Sequence, residues 1–253
     1  MKKIDLYINE KLKLNKDSII KYNYYPKDRD ELRSLIRKLL EERGPNADLN
    51  DIDVSKITDM SELFDKLDPH DIDISEWDVS NVTDMELMFY ECEKFNSDLS
   101  EWDVSNVQKM GWMFYDCRKF HSDLSEWNVG NVTNMEKMFD NCPKFNSDLS
   151  NWDVSNVTTM RSMFSGCQNF NSDLSKWDVG KVTNMKDMFF SCMSFNSDLS
   201  NWNVRNVTIM SEMFYKCLSF DCDLSKWNVS NVKNNYNMFS QCKSLIKKPY
   251  WYI

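Results

Sequence analysis

Seven tryptophans stand 25 residues apart, at Trp77, Trp102, Trp127, Trp152, Trp177, Trp202 and Trp227. Seven cysteines from Cys92 to Cys242 keep the same spacing. A leading aliphatic residue recurs eight times, from Leu49 through Ile74 to Leu224. Self-similarity at such a fixed period marks a repeat array. One unit cannot bury its own apolar faces, so neighbours must cover them. Such a chain offers stacked surfaces to partners more readily than it offers a catalytic pocket.

In the turn that opens at Leu99, Trp102 and Val104 alternate with Glu101, Asp103 and Ser105. This is the period-two pattern of a half-buried strand. Met110, Met113, Phe114 and Cys117 then fall at i, i+3, i+4 and i+7, the spacing of one apolar stripe of an α-helix. Thr83, Thr133 and Thr183 stand where helix N-caps belong. The spacings predict eight strand–helix turns over residues 49–248. Strands stack about 4.8 Å apart and helices about 8–10 Å, so the expected fold is a curved α/β solenoid with strands on its concave side.

Leu-x-x-Trp-x-Val resembles the opening of a leucine-rich repeat, and the tail Met-Phe-x-x-Cys-x-x-Phe resembles the end of BspA-like bacterial repeats. The whole unit, with its Trp-Asp-Val-Ser-Asn-Val-Thr core, is similar to the 25-residue repeat of mycoplasma-type lipoproteins and BspA-like surface proteins. The likeness covers about four-fifths of the chain, in all eight turns. It implies a leucine-rich-repeat-like solenoid, a bacterial cell-surface address and adhesion to host proteins, with no catalytic residues to carry over.

Residues 1–48 do not repeat and are expected to form an N-terminal cap. Ile4, Leu6, Ile8, Leu12 and Leu14 suggest a short hairpin. Asp28 and Glu31 form a capping box for a helix with the stripe Leu32, Leu35, Ile36, Leu39 and Leu40, stopped by Gly44-Pro45. Residues 249–253 read as an aromatic C-terminal plug. The charged stretch after Met1 is no signal-peptide core, so as written the chain is expected in the cytoplasm, against the surface address that the resemblance implies. A net charge of −9 argues against nucleic acid as a partner, and no apolar run is long enough for membrane insertion.

Asp48, Asp73, Asp98, Asp123, Asp148, Asp173, Asp198 and Asp223 precede the leading aliphatic. Each is expected to close an Asx-turn; a row of calcium sites is the alternative, without the glycine-rich loops that would support it. Asn81, Asn106, Asn131, Asn156, Asn206 and Asn231 form a second ladder expected to satisfy corner backbone groups. The periodic cysteines read as buried core thiols. Cys222 replaces the serine of Ser97 and Ser122 and is the expected exposed thiol.

Positions that vary between turns are the better functional candidates. Glu76, Glu101, Glu126, Asp78 and Asp103 make the outward strand rows acidic in the early turns, a charge pattern that would orient a polypeptide. Opposite the apolar stripe, most turns carry small or polar residues, such as Lys137 with Asp140 or Ser162 with Ser165; two adjacent turns carry Leu87 with Tyr90 and Trp112 with Tyr115. These four are expected to form an exposed convex patch that contacts a protein partner, a second copy or the N-terminal cap. With only two histidines, His70 and His121, and five glycines, the chain offers no nucleophile–base pair and no phosphate loop. The expectation is a non-enzymatic protein-interaction module without cofactor or metal. A self-assembling structural or adhesion protein, homo-oligomeric, is the alternative.

Overall fold

The structure is a computed structural model that describes residues 22–252. The hairpin expected near Ile4–Leu14 lies outside the described residues. Among the described residues the only α-helix is α1, Arg29–Arg43. Asp28 accepts a hydrogen bond from the Glu31 amide at 2.9 Å, and Glu31 accepts one from the Lys27 amide at 3.0 Å. At the other end Gly44, at φ 86°, donates to Leu40 O; positive φ suits glycine there. Leu32, Ile36 and Leu39 are buried against the first repeat.

The chain then winds in 25-residue turns stacked on one another. Parallel bridges run through Asp59, Asp84, Lys109, Asn134, Thr159, Asn184, Ile209 and Asn234, one per turn. The core is the expected inward set, Leu99, Trp102, Val104, Val107, Met110, Met113, Phe114, Cys117 and Phe120 in the sample turn, all buried.

The second half of each turn is not helical. The amides of Met110, Trp112, Phe114 and Asp116 donate to Asn134, Glu136, Met138 and Asp140 O of the following turn, at 2.8–3.2 Å. The intervening amides of Met113, Tyr115 and Cys117 close local bonds to the carbonyl three residues back. No amide is left for the i to i−4 ladder of a helix. The stretch is instead two abutting β-turns, 110–113 and 114–117. Their third residues, Trp112 and Asp116, have φ 60° and 57°, the type II arrangement. Two such turns bring their first and fourth residues inward, which reproduces the i, i+3, i+4, i+7 spacing of a helix stripe. The threonines expected as N-caps serve stacking too: Thr83 and Thr133 Oγ1 donate to Thr58 and Gln108 O of the turn before.

The first half is two more turns rather than a strand, closed by Trp102 N to Leu99 O and Val107 N to Val104 O. The ring ladders measure the spacing between turns. Tryptophan centroids are 6.4–6.5 Å apart, and the Phe95 row 5.9–6.2 Å. The Phe89 row repeats at 5.1–5.8 Å. Adjacent helices would need about 8–10 Å. Ring spacing is largest in the tryptophan row and smallest in the Phe89 row; the surface where the four amides cross between turns is called the ladder wall. The side that carries the tryptophans is called the tryptophan wall.

Candidate functional site

Most polar ladders are consumed by the scaffold. Each of the eight aspartates from Asp48 to Asp223 accepts a hydrogen bond from the amide two residues on, at 2.9–3.1 Å. Asp78 and Asp103, placed among the partner-binding residues by sequence, do the same for Ser80 and Ser105. Asn106 Nδ2 donates to Ser80 O at 2.8 Å, and its ladder mates repeat the bond. Trp102 Nε1 donates to Ile74 O at 3.1 Å, which fixes each indole inside the stack. Among the described residues no group of three histidine, cysteine or acidic side chains could hold a metal ion.

Glu76, Glu101 and Glu126 are exposed, as are Asp78 and Asp103. They stand at turn corners beside the tryptophan ladder, not on a strand. All eight cysteines are free; Cys222 and Cys242 are half-buried and the other six buried. Cys222 is thus not the sole accessible thiol, because the last turn leaves Cys242 partly uncovered as well. Burial raises both thiols, each to about 11.

Leu87, Tyr90, Trp112 and Tyr115 do come together, all half-buried, on the ladder wall. Leu87 and Trp112 occupy positive-φ positions, at 59° and 60°. For a bulky residue that conformation costs about 1–2 kcal/mol. It is held by the amides, which donate to Gly111 O at 2.9 Å and Glu136 O at 2.8 Å. The Tyr90 and Tyr115 rings stack at 5.0 Å and 10°, and Trp112 lies 6.1 Å and 5.2 Å from them.

The sequence reading missed the charges around this ring group. Lys137 Nζ sits 4.0 Å from the Trp112 centroid and 5.3 Å from that of Tyr115. Asp140 lies below, and burial pushes its carboxyl up to about 6 against the opposing Ser165 hydrogen bond and Lys137 charge. A hydrogen bond with Glu91 and burial push the Tyr90 hydroxyl up to about 12. Further along the wall Phe190 and Tyr215 stack at 4.8 Å. Beside them Asp187 Oδ1 is buried without a hydrogen-bond partner among the described residues. The equal 25-residue offsets of Glu86, Glu136 and Lys137 from their column mates were the available signal.

A family model described as "Mycoplasma protein of unknown function, DUF285" matches residues 34–152 and again 133–251. The chain belongs to this family. The two DUF285 matches together take in most of α1 and all eight turns, including the whole ring group. No curated protein and no solved structure matches the chain. No described helix is long and apolar enough to cross a membrane.

Proposed function

We propose that this chain is a non-enzymatic protein-interaction module that docks a protein partner on the ladder wall, at Leu87, Tyr90, Trp112 and Tyr115. One observation carries this: in an array whose other positions obey a 25-residue rule, two adjacent turns place four bulky groups where most other turns have polar ones. Core packing does not require them, since Lys137 and Ser162 occupy the Trp112 position in the next two turns. Aromatic residues of this kind dominate binding hot spots. Kinship to the BspA-like surface repeats belongs to the same proposal and is supported by the Met-Phe-x-x-Cys-x-x-Phe tail.

The test compares wild type with a Trp112→Ser, Tyr115→Ser variant as immobilised bait in host extracts, after matching melting temperatures. A protein retained by the wild type and lost by the variant supports the proposal. Identical retained sets would remove it. Self-assembly is favoured by a different observation: Tyr236, Ile246 and Tyr250 are 68%, 92% and 80% exposed in the last turns. Sedimentation over a range of concentrations, with an Ile246→Lys control, decides that alternative.

A further inference from the structure

The chemistry of the partner can be narrowed, on the reading that the ladder wall is the docking surface. The Trp112 ring carries an ammonium group, Lys137 Nζ, at 4.0 Å, so the ring is already placed to hold a cation. The column beside it runs Ser61, Glu86, Gly111, Glu136, Arg161. Gly111 has no side chain, and Glu86 leans over it: a Cβ there would meet Glu86 Oε1 and Asn134 Nδ2, each at 3.1 Å. A carboxylate is thereby laid across the wall next to the indole.

The surrounding charge is negative. Glu136 is paired with Arg161 at 3.0 Å and Asp116 with Arg118 at 2.9 Å. Among the described residues no cation lies within ion-pair distance of Glu62, Glu86 or Glu91. Burial first, then Asp84, Glu136 and Glu62, raise the Glu86 carboxyl, with Lys109 opposing. An added positive charge would relieve that repulsion, and no added anion would.

We propose that the wall around Trp112 binds a lysine or arginine side chain of a basic polypeptide segment, the cation resting on the indole with Glu86 and Glu91 as counter-charges. Lys137 marks the approach and is displaced or shares the ring. The acidic corners at Glu101 and Glu126 on the tryptophan wall attract the same segment only through their field.

The probe is a short capped peptide of alternating glycine and lysine, titrated by calorimetry at about 150 mM salt, where the overall field is damped. Glu86→Gln with Trp112→Leu should weaken it roughly fivefold or more. Glu101→Gln with Glu126→Gln, which removes two charges on the other wall where the first variant removes one, should still weaken it less than about twofold. The acetyl-lysine version should not bind. Equal losses in the two double variants, or equal binding of the acetylated peptide, would overturn the proposal. If the lysine peptide fails while Trp112→Ser, Tyr115→Ser still abolishes retention of a native partner, the docking surface stands and the cation falls. If retention is also unaffected, both fall.

Discussion

Trp251 Nε1 donates to Leu224 O at 2.9 Å, across 27 residues instead of the 28 that separate Trp227 from Leu199. The Trp251 ring stacks on Trp227 at 6.3 Å, so the segment after the last full turn supplies one more rung with its register shortened by a residue. Arg33 plays the matching part at the other end. Its guanidinium donates to Asp65 O at 2.6 Å and to Glu62 O, carbonyls that face the side with no preceding repeat. Both ends of the stack thus satisfy backbone groups with side chains, one from α1 and one from the aromatic tail.

Trp251→Ala should therefore loosen the last turn. The indole is half-buried, so the cost is about 2 kcal/mol, below that of a fully buried tryptophan. Hydrogen exchange should accelerate over residues 224–242 and stay unchanged in the central turns, because repeat arrays lose structure from their ends. Uniform acceleration along the chain would show that Trp251 is not an end cap.

The period, the inward residues and the Asx ladder were legible because each follows from composition at a fixed offset. The helix stripe was not. Met110, Met113, Phe114 and Cys117 have the same spacing on a helix as at the inner corners of two β-turns. The deciding signal lay in the polar residues between them: Asn141 and Gly166, residue types that accept positive φ, stand in one column at the third position of the second turn. Tyr90 and Tyr115 stand out in the sequence as exceptions to the polar pattern, but the backbone beneath them is a pair of β-turns where the stripe predicts a helix. The Lys137–Trp112 contact was invisible because it joins two turns through side-chain direction alone.

Gly166 is the one glycine in that column, at φ 74°. A Cβ there would meet the Asn141 backbone at 3.2 Å, so Gly166→Ala combines strain with a contact that cannot easily yield. The expected loss is about 1–2 kcal/mol, read from the urea midpoint. Asn141→Gly, at φ 62°, relieves backbone strain but removes the hydrogen bond from Asn141 Nδ2 to Asp116 Oδ1, so it should cost less than Gly166→Ala. A neutral Gly166→Ala would show that the backbone conformation at this corner is not required.

Thiol titration of the native protein should show two groups ahead of the rest, Cys222 and Cys242, with the remaining six reacting only after unfolding. Cys222 Sγ accepts from the Leu199 amide at 3.3 Å, where sibling serines accept at 2.8–3.1 Å. Cys222→Ser should then restore the ladder without loss of stability and leave one early thiol. A burst of more than two would mean that the inner cysteines are reached through opening of the stack.

Stability should pass through a maximum in mild acid. Hydrogen bonds from the serine two residues ahead hold Asp103, Asp123, Asp148, Asp153, Asp173, Asp198 and Asp223 below the usual carboxylate range. A carboxyl depressed in the folded state contributes stability that is complete above its unfolded value, about 3.9, and lost as pH falls through the folded one. Asp140 works in the opposite sense. Its carboxyl is raised to about 6 by burial, so its ionisation is penalised, and the penalty grows as pH rises from about 3.9 to beyond 6. Burial raises Asp187 and Glu86 in the same direction. Melting temperature should therefore climb as pH is lowered from 7 toward about 5 and drop below about 3.5. Asp140→Asn should raise the melting temperature at pH 7, flatten the climb and leave the acid drop in place. If the variant instead melts lower at pH 7 and keeps the same climb, the charge on Asp140 is stabilising, and the ladder wall is better solvated than its burial indicates.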